Sequence, residues 1–283
     1  MNKLSAAVFS FVLAATAPAW AQSGGTPIRI VAAENFYGDV ARQLGGGGAA
    51  ITSIMSSPDE DPHLFEASPS VARAISGAGI VVWNGADYDP WMAKLLASSR
   101  AKRRQVIDVG GLLHVKPGAN PHLWYDPATM PALARVLAAA LSADDPSGRA
   151  GYERRLDAFL ASLAPLDATI ARMRRKFAGT PVTATEPVFG YMAAALGLKI
   201  LDERFQLAVM NDTEPSASDT AAFEDHLRSH AVRALLYNSQ ATDSAARRLL
   251  RIAKEAGVPV VGVTETEPAG HIYQAWMLDQ LKA

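Results

Sequence analysis

The 283-residue sequence contains no cysteine. That excludes disulfides and thiolate metal ligands, and with them a lipid-modified cysteine at an export-cleavage point. Long apolar runs are lacking too. The stretch from Leu4 to Ala17 is too short to span a bilayer, and no other uncharged stretch of the roughly 18 residues a spanning helix needs follows it. Nor does charge of one sign dominate, with 27 basic residues against 28 acidic. This balance leaves no electrostatic footprint for nucleic acid or an anionic membrane. What stands at the start reads as an export signal. Asn2 and Lys3 precede the apolar run, and Ala19-Trp20-Ala21 offers a small-residue cleavage site before Gln22. Residues 1–21 are therefore expected to be removed, leaving a soluble chain with a net charge of about −2.

Short apolar, β-branched runs alternate with amphipathic segments. Strands are expected over 28–32, 50–55, 80–83 and 105–109, with helices over 36–44, 70–76 and 90–96 between them. A second series has strands over 181–185, 199–201, 234–237 and 259–263, with helices over 219–229 and 244–256. Such β-α alternation implies parallel sheets. Between the two series, Tyr152, Leu156, Phe159, Leu163, Leu166, Ile170, Met173 and Phe177 recur at steps of three and four, the mark of one long amphipathic helix. Pro165 inside it removes a backbone hydrogen bond, so a kink or two successive helices is expected there. The fold class is thus α/β: an N-terminal lobe over 22–147 and a C-terminal lobe over 178–283, each a mainly parallel sheet flanked by helices. One long rigid spacer helix over 148–177 joins them.

Two of the six histidines stand in similar surroundings, Asp61-Pro62-His63-Leu64-Phe65-Glu66 and Asn120-Pro121-His122-Leu123-Trp124. In each, a proline presets the backbone before the imidazole and lowers the entropy lost in ordering a ligand. Each also follows an expected strand, and α/β proteins bind ligands in the loops at the carboxyl ends of their strands. The alternative is an ordinary loop histidine, which the pairing of the two motifs argues against.

With these segments, the sequence resembles the ABC-transporter solute-binding proteins for zinc and manganese. The likeness also takes in Val82-Trp83-Asn84-Gly85, the segment from Thr185 to Tyr191, Glu214-Pro215-Ser216 and the closing Tyr273-Gln274-Ala275-Trp276-Met277. It implies a monomeric periplasmic receptor that hands one divalent metal to an ABC permease in the inner membrane. It also implies metal ligands at His63, His122 and Glu186. Read alone, Glu186 is equally a carboxylate at a helix N-terminus ahead of a proline. The fourth ligand, usually an aspartate before the last helix, falls on His271. Glu265 or Glu267 is the alternative oxygen donor, and capping of the last helix is the plain role for His271.

Three imidazoles and a carboxylate suit Zn²⁺, whereas Mn²⁺ calls for more oxygen donors, so the one expected cargo ion is zinc, with manganese as the alternative. Capture requires neutral imidazoles and should weaken as the pH falls through about 6 to 7. His114 is the sole histidine of the short stretch before Asn120, and His226 and His230 stand four apart on an expected helix; loop and surface roles are the simpler reading for all three. A zinc hydrolase would need an open coordination position and a general base, and the sequence has neither H-E-x-x-H nor G-x-S-x-G. A receptor for a metal chelate or organic solute would need aromatic cleft walls, for which Trp124, Phe189, Tyr191 and Trp276 are the candidates against a core role.

Overall fold

The computed structural model describes residues 26–283 apart from 58–64, 100, 102, 117 and 242–243. In the N-terminal half, β1 (Ile28–Glu34), β2 (Ala49–Met55), β3 (Ile80–Trp83) and β4 (Gln105–Asp108) form a parallel sheet in the order β2-β1-β3-β4. Both faces of its central strands are covered, as a parallel sheet requires. Ile30, Ala32, Ile80 and Val82 face a core shared with α1 (Asn35–Gly45) and α5 (Thr129–Asp144). Val31, Ala33 and Val81 face the opposite way, against Ile75 of α2 (Pro69–Ser76) and Met92 of α3 (Pro90–Ser98). A one-turn helix, α4 (Val109–Leu112), follows β4 directly.

The C-terminal half repeats the plan. Its strands β5 (Pro181–Ala184), β6 (Lys199–Ile200), β7 (Leu235–Asn238) and β8 (Val260–Val263) lie parallel in the order β6-β5-β7-β8. One face carries Leu235 against Phe223 and Leu227 of α10 (Ala217–Arg228), Leu249 and Ile252 of α11 (Ser244–Ala256) and Phe205 of α9 (Glu203–Met210). The other face, with Val182, Ala184, Leu236 and Val263, belongs to the same core as the N-terminal sheet. Helices α8 (Gly190–Ala195) and α12 (Tyr273–Gln280) complete that core, so one continuous apolar body runs through both sheets.

The spacer is two successive helices, α6 (Arg149–Ser162) and α7 (Ala164–Phe177), meeting at Leu163. Pro165 lies in the first turn of α7, where its missing N–H costs no helix bond. Leu163 keeps helical backbone angles, so the run stays nearly continuous. Helix α5 has no counterpart among the expected elements. Its sequence, TMPALARVLAAALSAD, is apolar almost all round and buries residues on several faces, so it lacks the one-sided stripe that marks a surface helix.

In both sheets the first strand is flanked by the second and the third. Successive connections therefore leave β1 and β5 in opposite directions, opening a crevice at the carboxyl ends between β1 and β3 and between β5 and β7. Such switch points are where open α/β sheets hold ligands.

Candidate metal centre

His122 follows Pro121 and begins a short turn over Leu123–Tyr125. Asn120 fixes its ring. The Asn120 Oδ1 accepts the His122 backbone N–H at 3.0 Å and the imidazole Nδ1 at 2.6 Å. Because a carbonyl oxygen only accepts, Nδ1 carries a proton, so that in the neutral ring Nε2 is the lone-pair nitrogen. That nitrogen is buried and has no hydrogen-bond partner. Asn120 also reaches the other half of the molecule: its Nδ2 donates to the Pro187 carbonyl at 2.7 Å, and its own carbonyl accepts from the Tyr191 hydroxyl at 2.7 Å.

Glu186 stands just past β5 and is 5 % exposed. It precedes the turn Pro187–Phe189 with extended backbone angles, yet its side chain makes no capping bond. The carboxylate is therefore directed elsewhere than to the helix end. Glu265 comes two residues after β8 and is fully buried. Its Oε2 lies 3.5 Å from His122 Nε2 and accepts the Tyr88 hydroxyl at 2.8 Å. Its Oε1 accepts the Asn238 side-chain amide, and its backbone N–H donates to Gln240 Oε1 at 2.6 Å.

His122, Glu186 and Glu265 each offer a ligand atom within 4.8 Å of the others, and all three are buried. A buried imidazole nitrogen and two buried carboxylates at this spacing form a nitrogen-and-oxygen donor set of the kind that metal ions take. Among the described residues no other group of three potential ligands comes together in this way.

The remaining expected residues fall as follows. His63 lies outside the described residues. His271 is not brought to the group: its side chain is 39 % exposed, with Nε2 3.5 Å from Asp279 Oδ2. The cause is a turn after β8, where the His271 N–H donates to the Pro268 carbonyl at 3.1 Å and Gly270 takes a left-handed φ of 78°. This carries the chain outward before α12 begins. Glu267 is buried but faces α1. Asn35 Nδ2 donates to its carbonyl at 2.6 Å and its N–H donates to Asn35 Oδ1 at 3.0 Å. Burial, then the charge of Asp39, pushes its carboxyl up to about 9. His226 is paired with Asp202 at 2.8 Å, and His114 and His230 occupy left-handed turn positions.

The proposed aromatic walls are core or interface groups. Trp124, Phe189 and Trp276 are buried, with Phe36 packed 4.6 Å from Trp124, and the Tyr191 hydroxyl is spent on Asn120. A cavity of about 300 Å³ lies nearby, lined in part by Asn120, Pro187, Ile200, Glu203 and Leu207, but none of the three clustered residues lines it.

Asn120 had no assigned role in the sequence beyond preceding a Pro-His pair; its place two residues before the imidazole was the available signal. Loss of the oxygen that orients a metal-binding imidazole generally costs about 10- to 100-fold in affinity. Asn120→Ala is expected to lie in that range for the first metal bound, measured by chelator competition.

Two α/β lobes sharing one core, with a dry imidazole and carboxylate group where the carboxyl ends of both sheets meet, have the architecture of a solute receptor. The chain belongs to the family described as zinc-uptake complex component A, periplasmic, whose model matches residues 30–283. This is a family of substrate-binding transport proteins, not of enzymes. The zinc-binding lipoprotein AdcA of Streptococcus pneumoniae serotype 4 is 25 % identical over 273 residues, which cover 87 % of this chain and 52 % of AdcA. The chain thus spans about half the length of that relative. The manganese ABC transporter substrate-binding lipoprotein PsaA of Streptococcus mitis is 22 % identical over 257 residues, 84 % of this chain and 80 % of PsaA. Among solved structures, the periplasmic zinc-binding protein TroA from Treponema pallidum superposes with a TM-score of 0.76 at 18 % identity, covering 91 % of this chain and 97 % of TroA. That likeness carries the two-lobed fold. Both sequence relatives are called lipoproteins, whereas the present sequence holds no cysteine.

Proposed function

We propose that the protein captures one divalent transition metal outside the cytoplasmic membrane and delivers it, as a monomer, to an ABC permease in the inner membrane. His63, His122, Glu186 and Glu265 are its ligands in this reading. The observation that carries it is the unpartnered, buried His122 Nε2 facing two buried carboxylates. Buried polar groups are otherwise almost always satisfied, and a cation answers the open nitrogen while taking oxygen donors from the two carboxylates beside it. Its family's substrate-binding role and the names of its relatives point the same way. Export follows from the signal-like segment over 1–21.

With Glu265 in place of His271, the donor set changes from three imidazoles and a carboxylate to two of each. Zinc remains the preferred cargo, because it accepts nitrogen and oxygen ligands tetrahedrally and stands above manganese in the general affinity order. The second carboxylate narrows that lead.

Native mass spectrometry of the mature chain, stripped with chelator and titrated with Zn²⁺ and Mn²⁺ in competition, tests this reading. One ion per chain is expected, zinc displacing manganese. Failure to retain either free ion, with retention of a metal chelate, would favour the organic-ligand alternative.

A further inference from the structure

Neither oxygen of the Glu265 carboxylate is left to orient itself. Asn238, the last residue of β7, donates its side-chain amide to Oε1 from the C-terminal lobe. Tyr88, from the loop after β3, donates its hydroxyl to Oε2 across the crevice at 2.8 Å. Oε2 is also the oxygen on the side of His122 Nε2.

The loop that delivers Tyr88 is built at a cost. Gly85, Ala86 and Asp87 all take left-handed angles, with φ of 67°, 50° and 64°. Left-handed backbone is unfavourable for residues other than glycine and persists only where surroundings impose it. Here the fully buried Asp89 imposes it, accepting the backbone N–H groups of Asn84 and Gly85 at 2.8 Å each, while the Tyr88 N–H closes back on the Gly85 carbonyl at 3.0 Å. Gly85 is required on steric grounds as well, since a Cβ there would meet Asp108 Oδ1 at 2.2 Å. The Tyr88 ring is wedged edge-on against Trp124 at 4.9 Å. Position, direction and rotamer of the phenol are thus all fixed by other parts of the N-terminal lobe.

We infer that Tyr88 and Asn238 are positioning residues that hold Glu265 as a one-oxygen ligand through Oε2 and so set the metal preference of the site. The inference rests on the metal-receptor reading above. A carboxylate pinned at both oxygens cannot rotate to present both symmetrically to an ion. The coordination shell is then kept small, which zinc accepts in its four-coordinate form. Manganese, with its preference for a larger oxygen-rich shell, is penalised. The unequal grip on the two metals, rather than the strength of either, is what these two residues supply.

The test compares wild type, Tyr88→Phe, Asn238→Ser and the control Tyr191→Phe. The control also loses a hydroxyl bond between the lobes, but one made to the Asn120 carbonyl rather than to Glu265. Zn²⁺ and Mn²⁺ affinities are measured separately by chelator competition, and the coordination number of bound Mn²⁺ by X-ray absorption. Removing the Tyr88 hydroxyl is expected to lower the zinc-to-manganese affinity ratio by about 10-fold, the scale of effects of groups behind metal ligands. The manganese oxygen count should rise, Asn238→Ser should move both readouts in the same direction, and Tyr191→Phe should leave the ratio unchanged. Equal weakening of both metals in Tyr88→Phe and Asn238→Ser, with an unchanged coordination number, overturns the inference while leaving the receptor reading intact. A wild-type protein that holds neither ion removes the receptor reading and this inference together.

Discussion

Replacing Glu265 with alanine is expected to weaken binding of the first divalent ion by about 100-fold, whereas His271→Ala should leave it within about twofold. The magnitude follows from sharing the roughly 10–16 kcal/mol typical of a four-ligand zinc site among its ligands, about 3 kcal/mol each, at 1.4 kcal/mol per decade of affinity. Glu265 is fully buried, with its Oε2 3.5 Å from the His122 lone-pair nitrogen. His271 is turned toward Asp279 at the surface, so removing it takes away a solvated contact worth little. Isothermal titration with a competing chelator separates the two. Equal and large losses in both variants would show that the loop over 268–272 rearranges to bring His271 inward on binding. A loss confined to His271→Ala would transfer the ligand role to it and leave Glu265 a structural acid.

That contrast also marks how far the sequence could be read. The alternating strands and helices of both lobes, their parallel sheets and the break beside Pro165 were all legible, because each depends on local periodicity or on one proline. The Pro-His motif at His122 could be singled out from its own residues, well after β4, and the Glu186-Pro187 pair from its place just past β5. For the fourth position, after β8, the sequence offered His271 with Glu265 or Glu267 as the alternative. The chain turns outward at Gly270, with its left-handed φ, whereas Glu265, six residues before His271, stands two residues past β8 beside His122. Spacing alone carries no information about where such a turn directs the chain. Helix α5 escaped for a different reason: buried on several faces, it has no polar side to give it a period. The partners that aim the site, Asn120, Tyr88 and Asn238, belong to residue types common in any loop, and only their contacts distinguish them.

Glu34→Gln should raise thermal stability in a strongly pH-dependent way. Glu34 ends β1 with no exposed surface, and its carboxyl faces that of Asp89. Burial first, and the charge of Asp89 second, hold its carboxyl well above the ordinary value of 4.5. Asp89, itself pushed up by burial to about 6 but supported by the amides of Asn84 and Gly85, is the member of the pair that ionises first. The sign follows from proton counting. Below pH 4.5 Glu34 is protonated in both the folded and unfolded chain and contributes no pH dependence. Above it the unfolded chain releases the proton while the folded chain keeps it, so stability falls as the pH rises toward the raised folded value. Glutamine has the same shape and no proton to lose, and therefore escapes this loss. For metal-free protein followed by circular dichroism, the two melting temperatures should lie within about 2 °C at pH 4. By pH 8 the variant should melt higher by about 5 °C or more, given that 1 kcal/mol corresponds to roughly 2–4 °C in a chain of this size. A gap that stays constant from pH 4 to pH 8 would mean that Glu34 ionises in the folded chain much as it does in the unfolded one. The buried acid beneath the Tyr88 loop would then need a counter-charge from outside the residues it touches here.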